Sequence, residues 1–176
     1  MAFKTRRSGS RDSDLSFTPE QWEERARNLV LNRLTRSPRT KHQLAQMLQQ
    51  KEVPSEIAQS ILDRFEEVHL IDDAAFARAF AHDRRLSRGL SKSALKRELN
   101  QAGVAAHLID VALEPIEPDD ELELAITLVR KRWNSVASLP WESRQRRLAG
   151  FLGRRGFGGS IIGSAISTVE RECREA

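Results

Sequence analysis

Residues 95–113 read LKRELNQAGVAAHLIDVAL. Leu95 and Leu99, four apart, make the inner stripe of one helix. Gly103 can take the left-handed conformation that ends a helix, and Val104 directly after it anchors a turn. Leu108, Ala112 and Leu113 then return a second helix to the first. The spacing is L-x3-L-x4-V-x3-L-x3-A-L, and it occurs three times. Residues 44–62, LAQMLQQKEVPSEIAQSIL, and residues 148–166, LAGFLGRRGFGGSIIGSAI, carry apolar residues at the same six positions, at offsets of 51 and then 53 residues. The aligned sets are Leu44/Leu95/Leu148, Leu48/Leu99/Leu152, Val53/Val104/Phe157, Ile57/Leu108/Ile161, Ile61/Ala112/Ala165 and Leu62/Leu113/Ile166. Gly156 repeats Gly103. Glu52 stands at that place in the first unit, so its turn either carries strain or, with Pro54 close behind, takes another form.

A third helix precedes each pair. Leu29, Phe80 and Trp133 all lie 15 residues before the first repeat leucine. Helix punctuation agrees. Thr18-Pro19-Glu20-Gln21 and Thr40-Lys41-His42-Gln43 have the form of capping boxes. Pro54-Ser55, Asp72-Asp73, Ser91, Ala105, Pro118, Pro140 and Ser160 open the remaining helices, and Pro38, Gly89, Gly103 and Pro115 close others. No stretch alternates with period two. The expectation is an all-α chain of three tandem three-helix, helix-turn-helix-like repeats forming an elongated, curved body. The units are placed at 18–71, 72–117 and 118–176, after a disordered basic arm over 1–17.

Composition narrows the function. Charged residues make up 31% of the 176, and the net charge is +4. Arginine supplies 23 of the 29 bases, and its planar fork suits phosphates and carboxylates. The charge is segregated. Residues 84–101 hold six bases and one acid, residues 110–123 hold seven acids and no base, and residues 130–155 hold eight bases and one acid. The single cysteine, Cys173, excludes a disulfide framework within the chain and a cysteine-rich zinc site. With no apolar run of membrane length and no secretory h-region at the start, a cytoplasmic protein is expected.

The stretch Leu70-Ile71-Asp72-Asp73-Ala74-Ala75-Phe76-Ala77-Arg78-Ala79-Phe80, followed by Arg84, Arg85, Gly89, Ser91, Leu95-Lys96-Arg97-Glu98-Leu99 and Gly103-Val104, resembles the RecX family of recombination regulators. The resemblance extends more weakly from about Ala26 to Glu172. It implies tandem helical repeats and a non-enzymatic regulator that binds the RecA recombinase, lies in the groove of its filament on DNA, and inhibits ATP hydrolysis and strand exchange. It places the chain in homologous recombination, DNA repair and the SOS response. Glu52 departs from the family's glycine.

Candidate contacts to RecA or to single- or double-stranded DNA are the basic groups: Arg84, Arg85, Arg88, Lys96 and Arg97 in the second unit, and Arg130, Lys131, Arg132, Arg146, Arg147 and Arg154 in the third. At 100° per residue, Arg146, Arg147 and Arg154 cluster opposite the face holding Leu148, Phe151 and Leu152. The ordinary alternative for each patch is a solvated surface. Asp72-Asp73 read as helix caps. Phe76, Phe80 and Trp133 read as packing. Six of the nine glycines fall within 150–163 without the G-x4-G-K-(S/T) of a phosphate loop, and read as a turn with close helix contact. His42, His69, His82 and His107 form no pair at metal spacing, and no nucleophile–base constellation is visible. No catalytic residue, metal or cofactor is expected, and the chain is expected to be a monomer. The alternative functions are a helix-turn-helix DNA-binding regulator and a helical-repeat scaffold for protein partners. The helices that would read DNA start Pro54-Ser55-Glu56, Ala105-Ala106-His107 and Gly158-Gly159-Ser160, which offer few base-reading groups.

Overall fold

The structure, a computed structural model, describes residues 17–175. Nine helices and no strand occur among these residues: α1 (Pro19–Leu34), α2 (Lys41–Gln50), α3 (Ser55–Glu67), α4 (Asp73–Arg88), α5 (Lys92–Gln101), α6 (Ala106–Leu113), α7 (Pro118–Trp133), α8 (Trp141–Gly153) and α9 (Gly159–Glu175). The capping boxes at Thr18 and Thr40 form as the sequence predicts, each threonine side chain accepting from the backbone N–H of a glutamine three residues on. The arm over 1–16 lies outside the described residues. Phe17, assigned to that arm, instead packs edge-on against Trp22 at 5.0 Å, with the Arg25 guanidinium over both rings.

Packing divides the chain into two compact units, the first ending at Asp72 and the second beginning at Asp73. The first of these two bodies is the α1–α3 bundle, which is also the first repeat unit. The second holds α4–α6 and α7–α9, each triplet packed on itself. Three separate apolar cores result. Leu44, Leu48, Leu95, Leu99, Leu148 and Leu152 are all fully buried. Val53, Val104 and Phe157 are buried at the turns, and Leu62, Leu113 and Ile166 close each core from the last helix. Full burial of a leucine is worth about 1.5–3 kcal/mol, so the repeated leucines carry much of each bundle's stability.

Two expectations are corrected. Glu52 does not turn differently. Its φ is 60°, and Val53 N–H donates to Leu48 O at 3.1 Å, as Val104 donates to Leu99 O at 3.2 Å and Phe157 to Leu152 O at 3.3 Å. The first unit makes the same turn as the others and holds a non-glycine in the left-handed region to do so. The second correction concerns the first helix of each unit. Its deeply buried pairs are the small residues Ala26/Val30, Ala77/Ala81 and Ala125/Val129. Leu29 and Phe80 each follow the buried alanine by three residues and pack at the core margin. In the third unit Leu128 holds that place, and Trp133 packs farther along α7. The cause is the connection over 134–140, where Val136 is buried in a run of turns. Counting back from Leu148 passes through these added residues and lands too late on α7.

Candidate functional site

The basic residues of the second and third units separate into those neutralised within the molecule and those that are not. On α4, Arg85 donates to Glu121 Oε1 at 2.7 Å and to the Asp120 carbonyl at 2.9 Å. Glu121 is buried at the start of α7 and also accepts the Lys92 N–H at 3.0 Å. Lys92 in turn donates its ammonium to the Ile116 carbonyl at 2.9 Å. Arg85 and Lys92 therefore tie α4 and α5 to the segment that opens α7. Arg88 Nη1 donates to both carboxylate oxygens of Glu98, at 3.1 and 3.3 Å. Arg84 lies over the Phe80 ring at 4.9 Å and 3.8 Å from Glu98. Lys96 pairs with Asp110 at 2.7 Å. Arg130 grips Glu172 with two bonds of 2.9 and 2.6 Å between α7 and α9. That grip holds the Glu172 carboxyl below its usual value and raises Arg130. Arg97 and Lys131 are exposed and have no ion pair among the described residues.

The other four candidates converge. Arg132 from the end of α7 joins Arg146, Arg147 and Arg154 from α8 around an open concavity of about 340 Å³. Ser135, Val136, Gly150 and Phe151 complete its lining, and no carboxylate lies among them. Arg146, Arg147 and Arg154 share a face as the helical wheel predicts. Arg132 reaches them because the 134–140 connection folds α8 back beside the end of α7. Arg130, two residues earlier, lies a further 200° round the helix and meets Glu172 instead. Two of the three acids of α9 are spent elsewhere: Glu172 on Arg130, and Glu170 on Arg144, which lies 3.4 Å away and sits over the Trp133 ring at 5.0 Å.

Phe151 was expected on the inner face of α8. It packs partly against the third core and also carries two cations, Arg155 at 3.9 Å and Arg132 at 5.4 Å from its ring centre. Arg155 is a residue that the charge pattern did not single out. Its Nε donates to the Arg88 carbonyl at 3.1 Å and its Nη1 to the Phe151 carbonyl at 3.2 Å. Burial lowers its pKa first, and the charges of Arg154, Arg132 and Arg88 lower it further. It senses the positive field of the concavity while fixing the α8–α9 turn to the end of α4. Only the geometry between bundles could reveal this role.

The remaining motifs take structural places. Phe76 and Phe80 stack at 5.6 Å against the second core. Asp73 is the first residue of α4. Of the glycine-rich segment, Gly156 alone meets close neighbours: a Cβ there would lie 2.6 Å from Ser91 Oγ and 2.7 Å from Ala94 Cβ. Trp141 at the start of α8 is exposed. No group of three or more His, Cys, Asp or Glu that could hold a metal ion occurs among the described residues, and none of their helices is long and apolar enough to cross a membrane.

Comparison with known proteins accounts for the threefold pattern. Three family models match in order: the first three-helix domain of RecX over residues 26–65, the second over 72–113 and the third over 119–166. Relatives named regulatory protein RecX include one from Streptomyces coelicolor, 43% identical over 152 residues, covering 86% of this chain and 79% of that protein. One from Thermobifida fusca is 42% identical over 146 residues, covering 83% and 79%. One from Mycolicibacterium smegmatis is 35% identical over 170 residues, covering 93% and 90%. The crystal structure of RecX from Lactobacillus salivarius has the same fold, with a TM-score of 0.75 at 19% identity over 86% of this chain and 98% of that one. With all three domains matched in sequence order and relatives alike over most of their length, this chain belongs to the RecX family of regulatory proteins.

Proposed function

We propose that this chain binds the RecA recombinase in its filament on DNA and restrains its ATP hydrolysis and strand exchange, acting in the cytoplasm as a monomer and without chemistry of its own. The observation that carries this reading is the run of three RecX domains, in order, over most of the chain. Tandem bundles multiply weak contacts. A chain with several bundles can touch successive copies of a partner repeated along a filament, and linked contacts bind far more tightly than any one alone. Segregated charge adds to this, because a nucleoprotein filament offers protein side chains and phosphates together. Inhibition then follows from occupancy. A bound chain blocks the path of an incoming strand and bridges protomers whose interfaces must shift during ATP turnover.

The test is co-sedimentation of the full chain with RecA assembled on single-stranded DNA, together with the filament's ATPase rate. Binding and a slowed rate are expected. A chain that stays in the supernatant and leaves the rate unchanged rules the reading out. Salt separates it from a scaffold that meets protein alone, since neutralising several phosphates makes affinity fall steeply as salt rises.

A further inference from the structure

We propose that the arginine concavity of α7 and α8 grips the phosphodiester backbone of a nucleic-acid strand and reads no base. This deepens the reading above and rests on it for its setting, a filament built on DNA. Its chemistry is independent of RecA.

Four observations carry it. First, Arg132, Arg146, Arg147 and Arg154 converge on one concavity with no acid in its lining. Like charges brought together in this way cost stability unless a counter-charge arrives. Second, none of the four has an ion pair among the described residues, whereas Arg85, Arg88, Lys96 and Arg130 each have one. Arg97 and Lys131 are also unpaired, but each stands on an exposed face outside this concavity, whereas these four face one another across it. Third, all four are arginine, whose fork takes two phosphate oxygens at once. Arg147 to Arg154 is about two turns, roughly 10 Å of helix rise, which spans more than one phosphate of a strand stacked at about 3.4 Å per nucleotide.

The fourth observation sets what the site does not read. Sequence-tolerant strand binders usually stack bases on open aromatic rings. The one ring here, Phe151, is already covered by Arg155 at 3.9 Å and Arg132 at 5.4 Å, and it packs on the third core. Ser135, Val136 and Gly150 offer no aromatic surface. The strand is held by its backbone alone.

The experiment measures fluorescence anisotropy of the full chain with two labelled strands of equal length, oligothymidylate and an abasic deoxyribose-phosphate strand. The two should bind with dissociation constants within about threefold of each other. R146Q/R147Q should weaken both at least tenfold and lower the log–log salt slope by about 1.4, at about 0.7 for each phosphate no longer neutralised. R130Q, which releases only Glu172, should change binding less than threefold. The proposal fails if neither strand binds, if the abasic strand binds far more weakly, or if R146Q/R147Q binds like the parent. If that variant keeps strand binding but loses co-sedimentation with RecA filaments, the concavity takes acidic protein side chains and the proposal is wrong. A parent chain that binds the abasic strand but does not act on RecA leaves this site standing and removes the function proposed above.

Discussion

Ser91 donates its backbone N–H to the carbonyl of Arg155 at 3.0 Å, so the cap of α5 and the turn after α8 share one hydrogen bond. Ser91 Oγ meanwhile accepts the Ala94 N–H that opens α5. Ser93 Oγ donates to the Gly156 carbonyl at 2.6 Å, and Arg155 returns a bond to Arg88 O. Ser91 is fully buried, so this cap cannot fall back on water. The α8–α9 turn is thereby both the end of the third bundle's inner pair and the surface that docks on the second bundle.

Gly156 is the point where that docking is tightest, with φ of 86° and no space for a methyl group. Gly156→Ala meets two costs at once. A left-handed non-glycine costs about 1–2 kcal/mol, and displacing Ser91 and Ala94 adds more, for an expected loss of about 2–4 kcal/mol. Gly163 lies within α9 with nothing within 4 Å of a new Cβ. Gly163→Ala should stabilise by about 0.5–1 kcal/mol through helix propensity. Urea unfolding of both variants checks the pair, and effects of the same sign would contradict it.

Much of this fold is legible in the amino-acid pattern because its information is local. Leu95, Leu99, Gly103 and Val104 specify a helix, a stop and a turn within ten residues, and the same signal recurs in each unit. What the pattern hides is how one bundle meets the next. Nothing in residues 84–88 announces that Arg85 is held by Glu121, 36 residues on, while Arg97 is left exposed. The face shared by Arg146, Arg147 and Arg154 follows from helical spacing. The arrival of Arg132 depends on how the 134–140 connection folds, and the misplacement of Trp133 has the same origin.

Glu52 makes a converse test. It holds φ near 60° in a turn whose equivalents are Gly103 and Gly156. Glu52→Gly relieves the left-handed strain but gives the unfolded chain more freedom, so the net gain should be about 0.5–1 kcal/mol. Glu52→Ala keeps the strain and should gain nothing. Thermal unfolding of the three chains checks this, and a glycine variant that melts below the alanine variant would show that the turn carries no strain worth relieving.

Arg85 and Arg97 sit on neighbouring helices with opposite prospects. Removing Arg85 leaves the largely buried Glu121 carboxylate with only the Lys92 N–H. Arg85→Ala should therefore cost about 2–3 kcal/mol, below the full penalty of breaking a wholly buried pair. Arg97→Ala, on an exposed face, should stay within about 0.5 kcal/mol of the parent. Chemical denaturation distinguishes them. A neutral Arg85→Ala would mean that α4 and α7 are not joined through this pair.

In the first unit the corresponding clamp is Lys41, whose ammonium at the start of α2 donates to Asp63 at 2.6 Å and Glu66 at 2.7 Å on α3. The bond from Lys41 is the largest reason that Asp63 titrates below its ordinary 3.8. The unfolded chain thus takes up that proton at a higher pH than the folded chain. Stability from this carboxylate is complete above about 3.8 and is lost as pH falls toward the depressed folded value. Lys41 itself is raised above 10.5 by the same bonds, so its share persists through neutral pH and is lost only as pH climbs past its raised value. Lys41→Met keeps the aliphatic stem and removes the charge. The variant should be less stable than the parent at pH 7, and the gap should narrow as the solution is acidified below about pH 4. The acid sensitivity that remains in Lys41→Met should come in part from Glu172, which Arg130 depresses in the third unit. Urea midpoints measured for both chains at about pH 7 and about pH 3 read the difference, and a gap of equal size at the two values would show that Asp63 titrates alike in the folded and unfolded chain.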